Sequence, residues 1–329
     1  MDQILVYELI WQGIKIVCLS GFRYMRSHYR FSVIIPTYNC ARYLPAALNS
    51  LISQGEIFND CQVLVVDDGS TDNTHLVAYE YCQKYPQNVF YLRKSNGNWG
   101  SVVNYVKIFQ LAKGKLITIL DADDVYQPGM LNEVSRYASK DMIVTDFYRC
   151  GQNKKKKQVW VYGYRLKKNY LITNKRIART PHSQPLGKFY SKKIFYLLRD
   201  LQENRWYQDC IMYHMGVGLA HEIQHINKPL AVWNHQREGN STTMCWTNSR
   251  KFSDWCSTLK LMNKHGAGLI VYVYALLPGF IKELKNRKKN LVLIKKPFSC
   301  LPNRLIYFLS LIWIQLKIRK YVKYIGEKY

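Results

Sequence analysis

The sequence predicts an α/β fold built on a mainly parallel sheet flanked by helices. Two observations predict it. From Phe31 onward, apolar runs of strand length alternate with stretches of helical periodicity. Two of those runs then stop abruptly at clustered carboxylates, residues 63–66 before Asp67 and Asp68, and residues 116–120 before Asp121, Asp123 and Asp124. The carboxyl ends of strands are where open α/β sheets bind ligands. Carboxylates crowded at such an end repel one another unless a positive charge joins them, and a hard divalent cation with oxygen ligands is the usual solution. A D-x-D by itself is equally a polar strand exit that caps the next helix, so the surrounding motifs have to decide.

The elements follow in order. Residues 4–19 are apolar apart from Glu8, Gln12 and Lys15, whose spacing predicts a helix with one narrow polar stripe. Arg23, Arg26 and Arg30 behind it suit an anionic membrane surface, although packing on the catalytic domain or a second subunit explains the helix as well. Phe31-Ser32-Val33-Ile34-Ile35 is a strand leaving through Pro36-Thr37-Tyr38-Asn39, followed by a helix marked by Leu44, Leu48, Leu51 and Ile52. Residues 63–66 form the second strand; Gly69 turns the chain, and Ser70 or Thr71 caps a helix reaching about Tyr85. A third strand covers 89–92. Its loop carries Asn96, Gly97, Asn98 and Gly100, where glycines let backbone approach a ligand. A helix over 101–112 leads to the acidic strand, and residues 142–147 read as another. The four lysines at 154–157 belong to a solvated hairpin loop. Gly187-Lys188-Phe189-Tyr190 precedes a helix starting near Lys192, Gln208-Asp209 opens another reaching Gly216, and short strands are expected at 222–226 and 230–234.

Totals bound the function. The chain has 329 residues, 48% hydrophobic and 14% aromatic, too apolar for a disordered protein. Its formal charge of +26 calls for an anionic partner: a nucleic acid, a phosphorylated substrate or an acidic lipid surface. Nine scattered cysteines, with no C-x-x-C, argue against a disulfide framework or a zinc site and for a reducing compartment. Met1-Asp2-Gln3 lacks the basic start of a secretory leader. After about residue 247 apolar and basic segments alternate. The apolar run 305–314 is too short to cross a bilayer, and beyond it Ile318, Val322 and Ile325 lie opposite Lys317, Arg319, Lys320 and Lys323, the pattern of a helix lying in a membrane interface or docked on the globule.

The succession Pro36-Thr37-Tyr38-Asn39, Asp67-Asp68-Gly69-Ser70, Asn96-Gly97-Asn98-Trp99-Gly100 with Asn104, Ala112-Lys113-Gly114 and Asp121-Ala122-Asp123 resembles the family 2 glycosyltransferases, the inverting enzymes of the Rossmann-like GT-A fold. The likeness runs over about residues 31–240 and is greatest to bacterial members that build capsule or exopolysaccharide repeat units. Together with the residue patterns at the two ends it divides the chain into 1–30 (amphipathic helix), 31–246 (GT-A catalytic domain) and 247–329 (helical, basic and membrane-associating). It also implies a nucleotide-sugar donor, a UDP-sugar above all, and one sugar added per acceptor is expected because the apolar runs fall short of the several membrane spans of the processive synthases.

The resemblance carries roles onto residues. Pro36, Thr37, Tyr38, Asp67, Asp68, Asn96, Gly97 and Asp121 would hold the donor nucleotide, with the choice between Asp67 and Asp68 open. Asp121 and Asp123 would bind Mg²⁺ or Mn²⁺ on the diphosphate, and Asp124 is a cap or supports them. His235 and Arg237 would close over the phosphates, Arg237 through the planar fork of its guanidinium. Asp209 is the expected base, although the acidic residue that usually precedes it is Gln208 here. Lys188 and Tyr190 are acceptor candidates, with core packing the alternative. The acceptor expected is a polyprenyl-diphosphate-linked saccharide at the cytoplasmic face of a membrane. A sugar-nucleotide nucleotidyltransferase would need a glycine-rich loop after the first strand, and Pro36-Thr37-Tyr38-Asn39-Cys40 has no glycine. A nucleic-acid binder is disfavoured because the basic residues cluster beside apolar segments at both ends.

Overall fold

A computed structural model of the chain describes residues 6–11, 14–19, 24–108, 110–150, 158–160, 170–172, 184–198 and 208–234. The expectations for 235–329, including His235, Arg237 and the C-terminal helices, lie outside the described residues, as does the lysine run 154–157.

Four parallel strands form the centre: β3 (Tyr29–Thr37), β4 (Cys61–Asp67), β5 (Val89–Arg93) and β6 (Gly114–Ile119), in the order β5-β4-β3-β6. All seven residues of β4 are buried, as expected of a parallel strand covered on both faces. Alternate residues serve opposite layers. Ile34, Leu64, Val66, Leu92, Ile117 and Ile119 pack on one face, under helices α3 (Asn98–Ile108), α5 (Lys192–Leu197) and α6 (Gln208–Leu219). Val33, Ile35, Val63, Val65, Val89 and Leu116 pack on the other, under α1 (Leu44–Ile52), α2 (Thr74–Lys84) and α4 (Met130–Ser135). Each such aliphatic side chain contributes roughly 1.5–3 kcal/mol on full burial.

The sheet continues beyond β6 through β11 (Lys188–Ser191), β8 (Met142–Cys150), β12 (Ile223–Asn234) and β10 (Tyr170–Ile172). Strand β11 is antiparallel to both β6 and β8, while β8 and β12 run parallel. Two short strands lie off this path: β7 (Val125–Tyr126) pairs with β12, and β9 (Gln158–Trp160) pairs with β8.

Several expectations are corrected. Residues 6–11 and 14–19 are not a helix but strands β1 and β2, an antiparallel pair that extends the sheet from β5. Trp11 pairs with Ile14 and Val6 with Leu19, and Val6, Ile10, Ile14, Ile16 and Val17 are β-branched residues that suit strands. The residues read as two strands at 222–226 and 230–234 are one strand, β12, with register shifts at Pro229, a residue that cannot donate to a ladder. Residues 188–191, read as the approach to a helix, are strand β11. Helix α2 starts at Thr74 after Asn73, so neither Ser70 nor Thr71 caps it.

Candidate active site

Because β3, β4 and β6 are parallel, Thr37, Asp67 and the residues just past Ile119 come to the same sheet edge. Thr37 and Asp67 are register partners, and Leu120 donates its amide to Ile34 O at 3.0 Å. Strand β3 lies between β4 and β6, which separates the two acidic motifs by two strand spacings, about 10 Å. They are too far apart to share one ion and well spaced to bracket a larger ligand.

The first motif is folded in on itself. Asp67 has no exposed surface. Its Oδ1 accepts from the Ser70 amide at 2.8 Å and the Ser70 hydroxyl at 2.6 Å, and its Oδ2 accepts from the Tyr91 hydroxyl at 2.5 Å. Burial and the Asp67 carboxylate beside it both push the Tyr91 pKa up, so this phenol keeps its proton. Gly69, at φ 84°, makes the left-handed turn that brings Ser70 back to Asp67. Asp68, 4% exposed, accepts on Oδ1 from Lys94 Nζ at 2.6 Å and from the Gly97 amide at 2.9 Å. Asn96 Nδ2 donates to its carbonyl at 3.0 Å.

The loop after β3 is stitched to the loop after β4. Asn39, at φ 51°, accepts on Oδ1 from the Thr71 amide at 2.8 Å, its own amide donates to Ser70 Oγ at 2.9 Å, and the Ala41 amide donates to Asp72 Oδ2 at 3.1 Å. Asparagine tolerates that backbone region better than most side chains. Pro36 is half-buried, Tyr38 is 50% exposed, and Thr37 is buried with an Oγ1 that has no hydrogen-bond partner. An orphaned hydroxyl between the two acidic motifs suits a ligand that brings its own polar atoms.

The second motif is open. Residues 121–124 form a turn closed by the Asp124 amide donating to Asp121 O at 2.9 Å. Asp121 and Asp123 are half-exposed, and Ala122 and Asp124 between and beside them are buried. Asp124 Oδ1 accepts from the amide of Asn234 at 2.8 Å, which ties the turn to the last residue of β12. Asp121 Oδ1 accepts from Trp99 Nε1 at 3.2 Å. Among the described residues no group of three or more His, Cys, Asp and Glu gathers. The donor set here is therefore two carboxylates, which fits Mg²⁺ or Mn²⁺, ions that take one or two carboxylates and fill the rest from phosphate and water.

Asp209 lies in the first turn of α6 and is half-exposed. Of the two readings open for the acceptor candidates, their burial is that of core packing. Lys188 is fully buried, its ammonium held by the carbonyls of Gln184 and Leu186 and lying 5.1 Å from the Tyr213 ring centre. Tyr190 is 3% exposed and packs against Gly216 of α6. Both belong to the interior, because β11 is inserted between β6 and β8 and covered by α6. Sequence reasoning missed Tyr91, Lys94, Trp99 and Asp72. Lys94, directly after an apolar strand, and Trp99, among small polar residues, were the available signals.

A model of the family described as glycosyl transferase family 2 matches residues 32–198. An uncharacterized glycosyltransferase of Mycoplasma pneumoniae is 48% identical over 301 residues, covering 91% of this chain and 99% of that protein. The minor teichoic acid biosynthesis protein GgaB of Bacillus subtilis is 39% identical over 110 residues, 33% of this chain and 12% of that one. Among solved structures, S. aureus TarS 1–349 in complex with UDP-GlcNAc superposes with a TM-score of 0.68 at 20% identity, over 83% of this chain and 79% of that one. With its βα alternation, its acidic turn and these likenesses, the chain belongs to glycosyl transferase family 2 and is a glycosyltransferase of the GT-A fold.

Proposed function

We propose that this glycosyltransferase moves one sugar, with inversion, from a UDP-sugar to a polyprenyl-diphosphate-linked saccharide at the cytoplasmic face of a bacterial membrane, in the assembly of a surface polysaccharide. The observation that carries the reading is the shared edge of β4, β3 and β6, where a closed acidic motif, an orphaned threonine hydroxyl and an open acidic turn stand in a row. The UDP-GlcNAc held by TarS supports the donor class, and the likeness to GgaB supports a cell-surface glycopolymer. Among the described residues no helix is long and apolar enough to cross a membrane, so association is assigned to the basic, apolar segments after residue 247.

In this reading Pro36, Thr37 and Tyr38 receive the base and ribose, with Asp67, Asp68, Asn96 and Gly97 shaping the wall beside them. Asp121 and Asp123 hold Mg²⁺ or Mn²⁺, which when bound offsets the charge that develops on the departing diphosphate. Asn234 is fixed to Asp124, and His235 and Arg237, next in the chain, bind the phosphate oxygens. Asp209 removes the proton from the acceptor hydroxyl. Gln208 in place of an acidic neighbour leaves that task to one carboxylate.

The test is a panel of nucleotide sugars with Mn²⁺ or Mg²⁺, scored for release of nucleoside diphosphate. Release of pyrophosphate instead would point to a nucleotidyltransferase. In the same assay Asp209→Asn should lower turnover about 10² to 10⁴-fold while leaving donor affinity unchanged. Full turnover in that variant would remove Asp209 from the role. Cosedimentation with vesicles of phosphatidylglycerol, but not with neutral vesicles, is expected for the membrane assignment.

A further inference from the structure

Residues 94–99 run from one acidic motif to the other. At one end, Lys94 Nζ and the Gly97 amide converge on Asp68 Oδ1, and Asn96 Nδ2 holds the Asp68 carbonyl. At the other end Trp99, in the first turn of α3, donates its indole N–H to Asp121 Oδ1 at 3.2 Å. We propose that this segment is a bridge, anchored at one end on Asp68, through which Trp99 positions the Asp121 carboxylate toward the donor. The inference rests on the assignment of Asp121 to the donor site.

Three features carry it. First, Asp121 is half-exposed, and the terminal torsion of an aspartate is broad, so without a partner its carboxylate plane is poorly defined. The indole has one N–H and no acceptor, and here that donor is spent on Asp121. Second, burial does not demand this pairing. Trp99 is itself half-buried, with its ring against the core, and packing of that kind is met equally by an aromatic ring without N–H.

Third, the charges are distributed in a telling way. Three carboxylates crowd into residues 121–124, and a lysine or arginine in place of Trp99 would cancel the charge that draws a cation. The indole orients one oxygen without adding charge. The nearby cation, Lys94, is instead consumed by Asp68 in a pair whose side chains are 6% and 5% exposed. Asp68 thus locks Lys94 and Gly97, which fixes the start of α3 and the reach of Trp99.

The experiment is a double-mutant cycle on Trp99→Phe and Asp121→Asn, read by titration calorimetry of UDP with Mn²⁺ and by donor KM and kcat, with thermal melting as a control on folding. Trp99→Phe should weaken UDP–Mn²⁺ binding and raise donor KM about tenfold, the factor that corresponds to about 1.4 kcal/mol, with kcat at saturation within about twofold. In the Asp121→Asn background the same change should cost less than about twofold, since the charge that Trp99 orients is gone even though an amide oxygen can still accept from the indole. A Trp99 that only packs would lower the melting temperature and cost the same in both backgrounds, and that result overturns the proposal. Binding reduced by Asp121→Asn but untouched by Trp99→Phe overturns the bridge while leaving the donor site standing. Binding unchanged by Asp121→Asn removes the donor-site assignment and the bridge together.

Discussion

Both acidic motifs end a buried parallel strand at the same sheet edge, and they are built to opposite purposes. At the end of β4 every oxygen of Asp67 is bonded by its own protein, and Asp68 is paired with a buried lysine. Past the end of β6, Asp121 and Asp123 stay half-exposed on a turn that is clamped from behind by Asp124 and β12. Composition does not separate the two. The difference lies in what surrounds them: Ser70, Tyr91 and Lys94 enclose the first motif, whereas the second leaves Asp121 and Asp123 half-exposed, with the Trp99 indole on Asp121 and the Asn234 amide on Asp124. In the proposed reading the closed motif contributes shape, and the open one contributes charge to the ligand. The substitutions that follow test that division.

The largest effect is expected at the open motif. Asp123→Asn keeps size and hydrogen bonding yet removes the charge, and should lower turnover roughly thousandfold, about 4 kcal/mol on the barrier. The melting temperature should stay within about 2 °C, because Asp123 is half-exposed and the turn is closed by backbone. Nucleoside diphosphate release and a thermal melt check both halves. A large fall in stability with turnover per folded molecule preserved would reverse the division.

Asp67→Ala should do the opposite. It strands the Ser70 amide, the Ser70 hydroxyl and the Tyr91 hydroxyl in a place without water, at a cost of about 3 kcal/mol in urea unfolding. Asp67→Asn, which keeps an acceptor for Ser70 and offers Tyr91 a donor, should cost about 1 kcal/mol. If Asp67→Asn abolishes UDP binding with stability intact, Asp67 reads the nucleotide directly and the motif is not closed.

These contrasts show what was legible from the residues. Strands 31–35, 63–66, 89–92 and 116–120 were readable because each is an apolar run of strand length between helices whose periodicity differs, and parallel βα order follows from that alternation. The acidic ends were readable as one edge for the same reason. The N-terminal strand pair was not, since the spacing of Glu8, Gln12 and Lys15 matches a helical stripe even though residues 6–11 and 14–19 form paired strands. Strand β11 was hidden because its four residues gain their identity from distant partners, Leu116 to Thr118 on one side and Met142 to Val144 on the other. The choice between an open and a closed aspartate depends on Tyr91 and Lys94, more than twenty residues away, whose polar ends are invisible to periodicity.

The other half of the sheet offers a smaller test. Helix α6, which carries Asp209, lies so close to β11 that a Cβ on Gly216 would stand 2.6 Å from Tyr190 Cε1. Tyr190 is 3% exposed and has no room to yield, so Gly216→Ala should cost about 1–3 kcal/mol through overpacking. If α6 shifts to relieve the clash, kcat should fall with donor affinity unchanged, because the displaced group is the proposed base and not the proposed donor site.

The smallest effect is expected where the loops after β3 and β4 are sewn together, and it depends on pH. Asp72 accepts from the Thr74 amide at 3.0 Å, the Thr74 hydroxyl at 2.5 Å and the Ala41 amide at 3.1 Å. Burial raises its pKa, but those bonds outweigh it and hold the carboxyl below its ordinary value. A carboxyl depressed in the folded state contributes stability that is present above its unfolded pKa of about 3.9 and lost as pH falls through the lower folded value. Asp72→Ala should therefore cost about 1 kcal/mol at pH 7, comparable to loss of a helix cap, with the cost shrinking between about pH 4 and pH 2. Urea midpoints of the two proteins across that range check the sign. A gap that widens toward acid would mean that the protonated carboxyl is the form the loops bind, and that the turn at Asp72 belongs with neither acidic motif.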